Sequence, residues 1–190
     1  ISASEAAART IVFAAGQNAV TLEDDDLTDL SFFGVPSYRM ATANDKVVLT
    51  AATFLGTTVG GNPTLINGVS VPLASNWVLT ESEVAEAQAA ISSFNATIQG
   101  VTSQYGWAFW DSYAVLNQVV NQGYPMDDFV LTGDLVMGGL FSLDGVHPTA
   151  RGNALIAKLM LETIDAHYGS NLSDVHLDIG DYPTNYPDGL

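Results

Sequence analysis

The chain has no cysteine among its 190 residues, which excludes disulfides and thiolate metal sites and leaves the redox compartment open. Basic residues are scarce as well: 5 Lys and Arg stand against 21 Asp and Glu, for a formal net charge of −16. A surface of that sign repels nucleic acid and anionic lipid headgroups, so neither is expected as a partner. No apolar run approaches the roughly 18 residues of a membrane span. The start, Ile1-Ser-Ala-Ser-Glu, shows no basic n-region and no apolar h-region, so a targeting signal is expected to be removed or absent. No serine sits in a recognisable nucleophile turn such as Gly-x-Ser-x-Gly. His167 and His176 lie near Asp165, Asp174 and Asp178, but without the His-x-x-x-His spacing of a zinc site; no metal or cofactor is expected.

What is present is a chain able to bury a core. Hydrophobic residues make up 47% of it, which argues against disorder, and its length makes one domain the default. Two acidic runs, Glu23-Asp24-Asp25-Asp26 with Asp29 and Asp174 with Asp178 and Asp181, raise calcium binding. Neither has EF-hand spacing, so both are read as solvated loops.

Ser2 and Glu5 have capping-box spacing and predict a helix to about residue 9, followed by a strand over residues 10–14. Residues 46–50 read as a second strand. Asn67-Gly68 between β-prone triplets predicts a hairpin, so residues 46–80 are expected to be a β-rich excursion. Thr80 and Glu83 form another capping box. It opens a helix with Val84, Ala87, Ile91, Phe94 and Ile98 on one face, stopping near Gly100. Residues 106–111 read as an apolar strand and 112–120 as a short helix broken at Gly123-Tyr-Pro125. A long helix is expected over about 149–167, apolar around most of its circumference. Its stripe toward water is Arg151, Lys158, Glu162 and Asp165, and Gly169 ends it. The proline-spaced tail, residues 181–190, is expected to run extended along the surface. This alternation of helices and strands predicts an α/β layer fold.

The most informative stretch is Phe141-Ser-Leu-Asp-Gly-Val-His-Pro-Thr-Ala-Arg-Gly152. Asp144 and His147 stand three residues apart, with Gly145 permitting a tight turn and Pro148 keeping the histidine backbone extended. A carboxylate beside an imidazole is what a hydrolase uses to orient and charge-stabilise a general base. The competing structural reading has Asp144 capping the turn and His147 packing on the following helix.

The segment 143–152, followed by an apolar helix, resembles the last block of the SGNH hydrolases, the GDSL esterases and lipases. Residues 106–116 resemble that family's penultimate strand with its trailing aspartate. Residues 15–19, 41–45 and 181–186 resemble a branch common among Bacteroidetes-type surface lipoproteins. The resemblance implies the C-terminal part of a three-layer α/β/α, flavodoxin-like fold spanning residues 1–190, outside the cytoplasm at a bacterial cell surface or secreted. Any lipid anchor would lie upstream. It implies His147 as general base, Asp144 as the residue fixing its tautomer, and Phe141, Leu143 and Val146 as lining of an acyl pocket, with plain packing an equal alternative for each of the three.

The departures are as specific. Asp111-Ser112 is the sole Asp-Ser pair, with no preceding glycine, and Asn44-Asp45 follows Ala43 rather than a Gly-x pattern. Serine and oxyanion residues are therefore expected in a missing N-terminal portion of the same domain, which becomes a required partner alongside an ester substrate. The chain alone is expected to be inactive, since losing one oxyanion donor already costs on the order of 3 kcal/mol. Two functions follow as expectations. One is an ester hydrolase acting on acyl or acetyl esters of lipids or carbohydrates. The other is a non-catalytic surface module on the same scaffold that binds other surface proteins.

Overall fold

Ser2 caps the first helix, α1 (Ala3–Ala8), its Oγ accepting from the Glu5 N–H at 3.1 Å, in a computed structural model that describes residues 1–186. The chain divides into two units, Ile1–Asn95 and Ala96–Leu190. In the first, β1 (Thr21–Glu23) pairs antiparallel with β2 (Tyr38–Met40), Leu22 facing Arg39 across the ladder. The expected excursion is closed at its base by β3 (Lys46–Val47) and β4 (Val78–Leu79), paired through Lys46–Leu79 and Val47–Val78. Leu22, Leu73 and Val78 form the buried core of this unit, with Val47, Phe54 and Trp77 packed against them.

The capping box at Thr80 forms. The Thr80 N–H donates to Glu83 Oε2 at 2.7 Å, and α2 (Glu81–Tyr105) follows. It runs through Gly100 rather than stopping there, because Gly100 adopts helical backbone with open space around it. No residue of α2 is buried, so Ile91, Phe94 and Ile98 remain exposed.

In the second unit α3 (Ser112–Gln122) is capped by Asp111, whose Oδ1 accepts from the Ala114 N–H at 2.9 Å. A tight hairpin follows, β5 (Tyr124–Met126) with β6 (Phe129–Leu131), where only a break was expected. The last helix, α4 (Ala150–Tyr168), lies within a residue of its expected span and ends at Gly169. Val119, Leu131, Leu140, Ala154, Leu155, Leu159 and Ile179 make the core.

The chain thus mixes helices with small antiparallel sheets. The layered sheet anticipated from sequence is not assembled: among the described residues the strands pair only two by two. Two expected strands, 10–14 and 106–111, do not form; at single positions in each, backbone groups bond side chains rather than a neighbouring strand. At Ala14, Asn18 Oδ1 accepts from the N–H and Asn18 Nδ2 donates to the C=O, both at 2.9 Å. Along 106–111, the Tyr168 hydroxyl accepts from the Ala108 N–H at 3.1 Å and His167 Nε2 lies 2.8 Å from the Gly106 C=O. Beyond Val47 the second strand candidate turns into a 3-10 helix, Leu49–Thr53.

The Asn67-Gly68 hairpin is also replaced. Residue 67 pairs back on the segment before it, its N–H donating to the Thr57 C=O at 3.0 Å, and the excursion is mostly turns. Arg151 corrects the expected water stripe of α4. Its side chain is fully buried, Nε donating to the carbonyls of Ile179 at 3.2 Å and Tyr182 at 3.1 Å, with the guanidinium 4.0 Å from the Phe129 ring centroid. The tail is therefore held by Arg151 at Ile179, Tyr182 and Pro183, and again at Asn185, whose Nδ2 bonds the Phe141 C=O; residues 187–190 of the expected extended segment lie outside the described residues.

Candidate functional site

Residues 141–148 form a loop closed at its neck. Phe141 and Pro148 bridge antiparallel, and the Ser142 N–H donates to the His147 C=O at 2.7 Å. Gly145 takes φ 72° at the tip, a left-handed conformation that a side chain would strain. Behind the neck the Thr149 hydroxyl donates to the Gly139 C=O at 2.6 Å and accepts from the Gly152 N–H at 2.9 Å, capping α4. Gly152 is required there, since a Cβ would meet the Leu140 carbonyl oxygen at 2.4 Å. Asn185 ties the tail to the same neck, Nδ2 donating to the Phe141 C=O at 2.7 Å.

On this loop Asp144 and His147 meet. His147 Nδ1 lies 2.6 Å from Asp144 Oδ2. The other carboxylate oxygen, Oδ1, accepts from the Ser142 hydroxyl at 2.7 Å and from the N–H groups of Val146 and His147, each at 2.9 Å. The Val146 N–H, then the His147 ring, the Ser142 hydroxyl and the His147 N–H hold the Asp144 carboxyl well below the usual carboxylate range. An ionised carboxylate only accepts, so the hydrogen-bond network assigns the imidazole proton to Nδ1 and leaves the Nε2 lone pair outward. The pair is open to water, with the His147 side chain 80% and the Asp144 side chain 51% exposed.

The other candidates fall elsewhere. Among the described residues no serine hydroxyl hydrogen-bonds to His147; Ser142 bonds Asp144, and Ser112 stands at the start of α3. Leu143 and Val146 are exposed, and Phe141 packs against the core of its unit rather than standing free to line a pocket. Asn44, the asparagine of the Asn44-Asp45 pair, gives its Nδ2 to Glu81 Oε1 at 2.9 Å, and Asp45 is the centre of a buried ion cluster. Arg39 Nη1 and Nη2 donate to its two oxygens at 2.7 and 2.8 Å, and the N–H groups of Thr42 and Glu81 add bonds at 2.6 and 2.9 Å. Asp24 completes the cluster on Arg39 Nε and is buried, a correction to the reading of its acidic run as solvated. Among the described residues no group of three or more His, Asp or Glu is arranged to hold a metal ion.

Ser142, Thr149 and Asn185 were not singled out in the sequence. Ser142, two residues before Asp144, carried a readable local signal; Asn185, far along the chain, carried none. No protein-family model matches the chain, and no curated protein or solved structure does. Among the described residues no helix is long and apolar enough to cross a membrane.

Proposed function

We propose that Asp144 and His147 are the acid–base pair of a serine ester hydrolase of SGNH/GDSL type, whose nucleophile lies outside the residues described. The observation that supports this reading is the 2.6 Å contact on Nδ1 combined with an unengaged, outward Nε2. In that role Nε2 takes the proton from the attacking serine hydroxyl as the Ser O–C bond to the acyl carbon forms. Asp144 stabilises the imidazolium, and Nε2 then returns the proton to the departing alkoxide. The substrates are acyl or acetyl esters of lipids or carbohydrates, and the site is extracytoplasmic, at a bacterial cell surface or secreted. The SGNH assignment rests on the 143–152 block and not on a shared sheet.

The test is labelling of the full-length protein by a fluorophosphonate probe, together with hydrolysis of p-nitrophenyl acetate. His147→Ala abolishes both; retained turnover in that variant removes His147 from the mechanism.

A second reading draws support from the three hydrogen bonds that Asp144 Oδ1 accepts within its own loop. They suffice to explain the residue as the internal cap of a non-catalytic surface module. No probe labelling of the full-length protein, with tight capture of a surface protein, decides for that module.

A further inference from the structure

Helix α2, continuous from Glu81 to Tyr105, carries an apolar face with no partner in the structure. None of its residues is buried, and Phe94 and Tyr105 on that face are 65% and 61% exposed. The apolar positions Ala87, Ile91, Phe94, Ile98, Val101 and Tyr105 follow one another in strictly alternating steps of four and three, and Val84 adds one more step of three before them. That is the 3.5-residue repeat of a helix that packs on another helix. The flanking positions are polar or small: Gln88, Asn95 and Thr102 on one side, Ala90, Thr97 and Gln104 on the other. A helix packed on a sheet or a globular core carries a further apolar row there, whereas a stripe of only two rows is the narrower one of a coiled coil.

Charge and side-chain size select the partner helix. The protein carries −16 overall, so two copies repel wherever acidic surfaces meet. Residues 87–105 hold no charged side chain, while Glu81, Glu83 and Glu86 crowd the N-terminal end of the helix. Past Glu83 the flanks offer no charge by which a different, basic helix would be selected. A second copy laid antiparallel keeps the acidic ends about 25 Å or more apart, beyond the screening length of about 8 Å at physiological salt. A parallel copy brings them together. About a two-fold axis at Phe94, Ala87 meets Val101, Ile91 meets Ile98 and Val84 meets Tyr105, each pair formed twice. Small side chains at one end then fill the space beside large ones at the other, whereas the parallel register sets Ala87 against Ala87 and leaves a gap. The paired length is about 32 Å. It buries on the order of 1,000 Å² in total, the lower bound for a specific interface.

We infer that α2 is a self-association surface, on which the α2 of a second copy of this chain docks antiparallel about Phe94. The inference is independent of the hydrolase reading, because it uses neither Asp144 nor His147.

The test is sedimentation of the full chain from about 1 μM to about 500 μM, where a monomer–dimer equilibrium with a micromolar midpoint is expected. Phe94→Glu sets two like charges face to face at the axis and raises the dissociation constant more than about tenfold. Because Phe94 is exposed, the circular dichroism of that variant stays that of the wild type. Ser92→Glu, outside the stripe, leaves the equilibrium unchanged. The chain has no cysteine, so introduced ones report the orientation: Ala87→Cys cross-links with Val101→Cys in a mixture and not with itself. A monomer at every concentration overturns the inference and leaves the face to a different protein. A dimer untouched by Phe94→Glu overturns it as well, and self-cross-linking of Ala87→Cys overturns the antiparallel pairing.

Discussion

Asp144 serves His147 with one oxygen and the loop with the other: Oδ2 meets the imidazole Nδ1 at 2.6 Å while Oδ1 takes the N–H groups of Val146 and His147, each at 2.9 Å. The same carboxylate therefore sets both the loop and the tautomer of its ring. Asp144→Asn replaces an obligate acceptor by an amide that also donates. Nitrogen-15 NMR of the neutral imidazole is expected to show the proton on Nδ1 in the wild type and a mixture of tautomers in the variant. Asp144→Ala removes the loop bonds too, and exchange of the Val146 and His147 amides quickens by about tenfold or more. Unchanged tautomer and exchange in both variants would mean the contact is absent in solution.

Arg39 and its two carboxylates carry the first unit. Burial pushes the Asp45 carboxyl up, but the Arg39 hydrogen bonds and the N–H groups of Thr42 and Glu81 outweigh it and hold the carboxyl well below its usual range. A depressed carboxylate contributes stability that is full above its unfolded value, near pH 4, and is lost as pH falls through the folded value. Arg39→Met leaves two buried carboxylates without their cation and is expected to destabilise by about 3–5 kcal/mol at pH 7 in urea unfolding. Asp45→Asn removes the titrating group, so its stability should fall less steeply than the wild type's below pH 4.

Arg151 is predicted to be the anchor of the tail. Arg151→Met keeps the length and packing but leaves the Ile179 and Tyr182 carbonyls without this donor, at a cost of about 2–4 kcal/mol. Lysine cannot reproduce the planar fork, so Arg151→Lys recovers little of the loss. Limited proteolysis provides the check: in both variants cleavage should begin after α4, in residues 170–186, before it touches the helix.

Two glycines in helices should respond with opposite signs. Gly100 in α2 has nothing within 4 Å of a new Cβ, so Gly100→Ala stabilises by about 1 kcal/mol through helix propensity. Gly152 in the first turn of α4 has the Leu140 carbonyl oxygen 2.4 Å from that position. Gly152→Ala is expected to cost about 1–3 kcal/mol and to disturb the neck of the Asp144 loop, visible in the chemical shifts of Thr149 and His147. Equal effects of the two substitutions would contradict the close approach at Leu140.

Features that depend on neighbours in sequence were readable before any coordinates. The caps at Ser2 and Thr80 span three residues, and α4 announced itself by its apolar run and by Gly169. Asp144 and His147 are likewise three apart, with Gly145 to turn the chain, so their meeting was legible as a local event. Tertiary structure decided what those elements pack against. Arg151 reaches carbonyls 28 and 31 residues away, Asn185 a carbonyl 44 away, and Arg39 a carboxylate 15 away. No periodicity encodes such partners, because they meet only once the chain has closed its loops. Two strand-like segments take side-chain partners at single positions instead of a neighbouring strand, Ala14 locally from Asn18 and Gly106 and Ala108 from His167 and Tyr168 some 60 residues on. The sequence alone thus determined the chemistry of the dyad and the helices around it, while the buried charges, the tail and the small paired sheets were decided by contacts that exist only in the folded chain.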